Sequence, residues 1–430
     1  MPEPRIVPKP DLPTALRVFG CAAATWSVLC LGVHLWPFEA RPALRMVAPA
    51  NVAIIIWTAV AGAALLRRRA RRWLVAHAPP APVWCFLAIA AASLGVSPDL
   101  RRSAISLAKL VLLYVGGFTL LSTVSGRRKW VGRLCGLALA AACIAVAGAL
   151  AARLAGWGSL GFFARGHKYG TVTAILLTVG TVHVAAIERR WACLVVLPSL
   201  LAGLAAVTLG GLSAMAAGLA VGTLLLRGRA QLRTAICLAA MAAVVAAGWN
   251  RPVFSRLRAD VRVHELDSRD IRQRYIEWQA QLNILRSRPV GGTGLGCVNA
   301  YRSMFYGRLP KRNTVAPFDR NGWLLVAAET GAVGLAAFVW VLLTTGARAW
   351  RAIRLDGGRA VLPVVVISGL VAACVAHTFS SVNYNGVLGT FVLVLVLGQR
   401  AGRTDTRGAP DGLACPDSVQ PPEVRGRTSS

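Results

Sequence analysis

Acid is scarce in this chain of 430 residues: 17 aspartates and glutamates stand against 48 lysines and arginines, and only 15% of positions are charged. So little charge excludes a soluble domain of ordinary composition, in which about a quarter of residues are charged. Long polar stretches are equally scarce, and the gaps between apolar runs leave no room for a sizeable soluble domain. Ten cysteines include no CxxC pair and lie mostly inside apolar runs, so neither a zinc site nor a disulfide framework is supported. They read as small buried hydrophobes. The first apolar run lacks a short stretch ending in a small-x-small site, which reads as a retained anchor rather than a cleaved signal. A glycine run, SRPVGGTGLG (Ser287 to Gly296), lacks both the Lys-Ser/Thr of a P-loop and the G-x-G-x-x-G of a dinucleotide fingerprint.

Apolar residue is what the chain has in quantity, at 56% hydrophobic with a mean hydropathy of +0.57. Runs long enough to span about 30 Å of hydrocarbon as helices recur from Leu16 to Leu397. Twelve spans are read, at 16–36, 46–66, 82–96, 103–121, 131–150, 169–187, 192–209, 211–226, 234–249, 321–345, 361–377 and 386–397. Basic clusters at 67–72, 126–130, 188–190, 227–233 and 348–354 each follow an even-numbered span. Cytoplasmic loops concentrate Lys and Arg, so both termini are expected inside. The expectation is an all-α polytopic membrane protein. It has a cytoplasmic N-terminus (1–15), nine spans (16–249), a large external loop (250–320), three more spans (321–399) and a disordered cytoplasmic tail (400–430). The formal charge of +31 does not point to nucleic acid, because the basic residues are dispersed among these clusters.

The loop carries fourteen basic and six acidic residues, and lysine occurs in it only at Lys311. Arginine, with a planar fork suited to phosphate oxygens, points to an anionic partner at the outer surface or to anionic lipid headgroups. Within the loop, DSRDIRQRYIEWQAQLNILRS reads as one amphipathic helix whose apolar stripe is Ile271, Tyr275, Trp278, Leu282 and Leu285. Pro289 ends it, and the glycine run follows. Free backbone N–H groups at Gly292 and Gly294, beside Arg286 and Arg288, offer an anion cradle, although tight turning alone also uses such glycines.

Two segments carry a resemblance. RYIEWQAQLNILRSRPVGGTGLG, with Arg274, Trp278, Pro289, Gly292, Gly294 and Gly296, precedes NGWLLVAAETGAVGLAAF, with Asn321, Trp323, Leu324, Glu329, Gly331 and Gly334. Together they resemble the O-antigen ligase and O-antigen polymerase superfamily of bacterial membrane glycosyltransferases. GFFARGHKYGTVTAILL, which contains His167, is similar to the family's entry to a middle span. The chain departs from the family at Arg320, where a histidine is usual, and at TLGGLSA (Thr208 to Ala214), where an arginine is usual.

The resemblance implies transfer of a glycan from an undecaprenyl pyrophosphate carrier to a hydroxyl of an acceptor glycolipid or a growing polysaccharide, at the outer face of a bacterial inner membrane. It calls for no metal and no cofactor. Such chemistry needs cations where charge develops on the departing pyrophosphate, and Arg272, Arg274, Arg288 and Arg320 are candidates. The acceptor hydroxyl needs a base, for which Asp319, Glu329, His167, His264 and His377 are within the expected reach. Lys109, inside the fourth span, either extends to the surface beside Arg101 and Arg102 or meets the lipid phosphate. Two other readings remain open: a lipid or polysaccharide transporter, and a non-catalytic relative that binds carrier-linked glycan.

Overall fold

A computed structural model describes residues 12–30, 49–124, 128–154, 167–187, 209–248, 269–298, 301, 321–355, 361–379 and 385–401. Every regular element among them is helical. They are α1 (Leu12–Leu29), α2 (Pro49–Ala64), α3 (Arg68–Val75), α4 (Ala81–Ala92), α5 (Leu100–Val124), α6 (Arg128–Leu154), α7 (His167–Ala186), α8 (Leu209–Leu225) and α9 (Arg229–Gly248). After these come α10 (Arg269–Ser287), α11 (Gly322–Leu355), α12 (Val361–Phe379) and α13 (Asn385–Ala401). Among the described residues four helices, at 100–124, 229–247, 322–355 and 361–379, are long and apolar enough to cross a membrane, and seven shorter apolar helices accompany them. Eleven of the twelve expected spans coincide with a helix. The span at 192–209 and the tail lie outside the described residues, except where α8 opens at Leu209 and α13 closes at Ala401.

Apolar side chains face both inward and outward, as a bilayer requires and water does not. Trp26, Val60, Leu224 and Leu343 are exposed, while Trp57, Phe118, Phe338 and Phe391 are fully buried. With hydrocarbon on the outside, close approach of backbones rather than expulsion of water holds helices together. In α8, Gly218 and Gly222 form a G-x-x-x-G face. A Cβ at Gly218 would lie 2.5 Å from Thr178 Cγ2 of α7 and 2.9 Å from the Ser368 carbonyl of α12, so only glycine admits both neighbours. α7, α8 and α12 thus pack mutually, and α13 lies against α12 with Phe391 to Leu397 all buried.

α5 is the ruler of the molecule. Asp99 Oδ1 accepts from Arg102 N (2.9 Å) and caps its first turn, and a π-helical stretch, Leu112–Gly117, lies midway. At its far end Ser122 Oγ donates to the His77 carbonyl (2.8 Å), and Arg400 donates to the Ser122 carbonyl (2.8 Å). The basic segment 67–72, expected as a loop, enters the amphipathic helix α3 just before His77, so it gathers at this same end. From Ser103 to Ser122 is roughly 28 Å at 1.5 Å per residue, close to the thickness of bilayer hydrocarbon.

α11 is broken. Gly331 sits at φ 74°, ψ −178°, and the helix resumes at once on the far side. Glycine alone tolerates that conformation at little cost.

Candidate functional site

The break in α11 receives the glycine run. Ala332 N donates to the Pro289 carbonyl (2.7 Å), Thr293 N to the Ala328 carbonyl (2.9 Å) and Gly294 N to the Glu329 carbonyl (3.0 Å). Thr293 Oγ1 adds a fourth bond to the Ala328 carbonyl (3.1 Å). Interrupting a helix orphans its carbonyls, and the run supplies the missing donors. The glycines follow from the closeness of this seating. A Cβ at Gly292 would lie 2.5 Å from Glu329 C, one at Gly331 would strike the Val290 carbonyl, and Gly292, Gly294 and Gly296 all have positive φ.

The other side of the run rests on the start of α5. Ser103 Oγ bonds the Leu295 carbonyl (2.7 Å), and Cys297 Sγ lies 3.3 Å from both Ser97 Oγ and Ser103 Oγ. A Cβ at Gly294 would approach Ser97 Cβ to 2.7 Å. Cys297, fully buried, is therefore a packing anchor that joins the loop to the turn between α4 and α5. This clip ties α10, α11 and the α4–α5 turn together at the end opposite Arg400.

The expected cradle of free N–H groups is corrected by this geometry. The N–H of Gly292 goes to Arg288, and those of Thr293 and Gly294 go into α11. Side chains must hold any anion here, and Arg288 is the best placed. Its guanidinium lies 4.6 Å over the Tyr301 ring, and Nη1 donates to the Tyr301 hydroxyl (3.2 Å), so stacking and one hydrogen bond fix the fork. Sequence spacing missed a second cation: a Cβ at Gly296 would lie 3.8 Å from Arg102 Cγ, which puts exposed Arg102 at the clip's rim. Lys109 is half-buried about two turns further along α5.

The remaining candidates divide. Asn321 is 7% exposed, and its Oδ1 accepts from Leu324 N (3.1 Å), so it caps α11. Trp323 donates from Nε1 to the Cys374 carbonyl (3.3 Å) and meets His377 edge-on at 5.9 Å. His377 is fully buried among Trp323, Phe338 and Phe391, with no hydrogen bond to either ring nitrogen. Glu329 is 4% exposed, two residues before the break, beside the clip. Arg272 and Arg274 lie in the first turns of α10 and His167 opens α7, in each case with only the backbone described. Asp319, Arg320 and His264 lie outside the described residues. Among the described residues no group of three or more His, Cys, Asp or Glu comes together.

α10 also departs from the expected stripe. Ile276, Ala280 and Ile284 pack on Leu325 and Ala328 of α11, whereas Trp278, Leu282 and Leu285 are only half-buried. The register that buries Ile276 carries Glu277 and Gln281 inward with it, each 1% exposed.

Compared with models of known protein families and with curated proteins, the chain matches none.

Proposed function

We propose that the protein transfers a glycan from an undecaprenyl pyrophosphate carrier to an acceptor sugar hydroxyl at the clip end of the bundle, as O-antigen ligases and polymerases do. The acceptor oxygen attacks the anomeric carbon, and the bond to the pyrophosphate breaks with its electron pair passing to the leaving oxygen. Arg288, with Arg102 and Lys109 on the facing helix, meets that developing charge. The acceptor's proton passes to a carboxylate, Glu329 at the clip or Asp319 just before the cap of α11.

The observation that carries this reading is the seating of the Pro-x-x-Gly-x-Gly-x-Gly segment in the break of the Glu-x-Gly-x-x-Gly helix, which makes two separated motifs one structure beside a fixed arginine. Residence in a bacterial inner membrane, with the clip outward, is supported by two facts. The basic segments before His77 and at Arg400 gather about a bilayer's thickness from the clip, and four helices are long enough to span it.

The test is release of undecaprenyl pyrophosphate from labelled carrier-linked glycan by the purified protein in liposomes, with lipid A core supplied or withheld. Release coupled to labelled core identifies a ligase, and release coupled to lengthened carrier-linked chains identifies a polymerase. Passage of intact carrier-linked glycan across the bilayer with no release supports a transporter instead. Binding with neither release nor passage supports a non-catalytic relative, in keeping with Arg320 at the family's histidine position.

A further inference from the structure

α3 gathers like charges at the end of the molecule opposite the clip. Arg68, Arg71 and Arg72 fall at i, i+3 and i+4, so three guanidinium groups share one helical face, and Arg67 stands just before it. All four are exposed. Charges so spaced repel one another, and the first turn holds no acid to meet the helix dipole. Among the described side chains the carboxylates are those of Asp99, Glu277 and Glu329, and each belongs to the clip side of the bundle. The sequence itself has no acid between Glu39 and Asp99.

Apolar side chains border this charge. Leu66, just before the helix, is 90% exposed, and Val75, which follows Arg71 and Arg72 by one turn on the same face, is 66% exposed. Leu74 turns the other way, into the main core. Water suits the arginines but not Leu66, and hydrocarbon suits Leu66 but not the arginines, so the boundary between the two satisfies both. An independent feature marks the same level. Trp84, at the start of α4, has a half-exposed ring and donates from Nε1 to the Pro79 carbonyl (3.1 Å), two residues beyond the His77 carbonyl that holds Ser122. Exposed indoles collect at membrane interfaces.

These neighbours restrict the partner. Planar guanidinium forks suit phosphate oxygens. Free phosphate or nucleic acid would neutralise the forks but leave Leu66 and Val75 uncovered. An anionic phospholipid meets both, with its phosphate on the arginines and its acyl chains against the apolar side chains.

We propose that α3 lies in the membrane interface and binds the phosphates of anionic phospholipids through Arg68, Arg71 and Arg72, whether or not the protein transfers glycan. The test uses the full-length protein, made cysteine-free, with a donor fluorophore on Ala70→Cys. It is reconstituted in phosphatidylcholine liposomes holding a trace of phosphatidylglycerol or phosphatidylcholine with an acceptor on one acyl chain. Energy transfer should report about fivefold enrichment of phosphatidylglycerol beside α3, the scale that an arginine near a charged surface contributes. The triple variant Arg68→Gln, Arg71→Gln, Arg72→Gln should bring the two lipids within about twofold of each other, whereas Arg351→Gln with Arg354→Gln should leave the enrichment intact. Removing like charges relieves repulsion, so α3 is not endangered by the substitutions. Salt at about 1 M, where charges are screened beyond about 3 Å, should erase the enrichment without any substitution. Inorganic phosphate exchanged for chloride at moderate, constant ionic strength should not. Loss of enrichment to inorganic phosphate identifies a free-phosphate site and overturns the lipid assignment. Enrichment that survives either the triple substitution or high salt overturns the role of the arginines. Equal transfer to both lipids in the unsubstituted protein overturns the proposal outright and leaves an acidic protein surface as the partner of α3.

Discussion

Gly331 and Gly292 face each other across the clip, and each holds a conformation that a side chain disrupts. Gly331→Ala forces alanine into a region of backbone space that costs about 1–3 kcal/mol and drives its Cβ into the Val290 carbonyl. The thermal midpoint of the purified protein should fall by several degrees, and protease should cut the loop sooner. Gly62→Ala is the control, because nothing lies within 4 Å of its added Cβ in a helix interior. Its midpoint should hold or rise slightly. Arg288 provides the chemical counterpart at this scale. Lysine keeps the charge but not the stacked fork over Tyr301, so Arg288→Lys should retain only part of any transfer activity. The glycines of the clip were legible as a motif, but their use was not. Spacing along 287–296 suggests an anion cradle, whereas the carbonyls that take up its N–H groups belong to a helix break some 35 residues later.

Among the helices, the apolar runs were legible as helices because apolar length is written in sequence, and four of those described are long and apolar enough to cross a membrane. The break in α11 was not, since a lone Glu-Thr-Gly between two apolar stretches contains no proline and does not by itself end a helix. Nor was the buried face of α10. Counting large apolar residues selects Trp278, Leu282 and Leu285, but α11 presents Leu325 and Ala328 to a shallower ridge of Ile276, Ala280 and Ile284. Departures of this kind concentrate where function competes with packing. Two substitutions test the element-level account. Gly218→Leu should separate α8 from α7 and α12 and abolish recovery of folded protein from detergent. Asn321→Ala removes the cap of α11 and should cost about 1 kcal/mol, read as a modest drop in thermal midpoint, with Asn321→Asp restoring most of it.

Over the whole molecule, one end collects arginines at 67–72 and 400, and the other collects the clip, Arg288 and Arg102. Short arginine-rich segments favour the cytoplasmic side of a membrane, and the proposed orientation, with 67–72 inside and the clip outside, is testable on that ground. A cysteine-free protein carrying Ser303→Cys in the loop should react with an impermeant thiol reagent in intact spheroplasts. One carrying Ala70→Cys in α3 should react only after permeabilisation. The reverse pattern would place the clip in the cytoplasm, where no acceptor glycolipid awaits a completed glycan. Arginine at the clip matters only if transfer occurs there, so the decisive comparison is release of undecaprenyl pyrophosphate from labelled carrier-linked glycan by wild type and by Arg288→Ala in the same liposomes. Transfer at this site requires release by wild type and a rate about 100-fold lower in the variant, the scale of losing one preorganised donor to the developing charge. Equal rates in the two proteins would place the chemistry elsewhere, and no release by wild type with any acceptor would contradict glycan transfer itself.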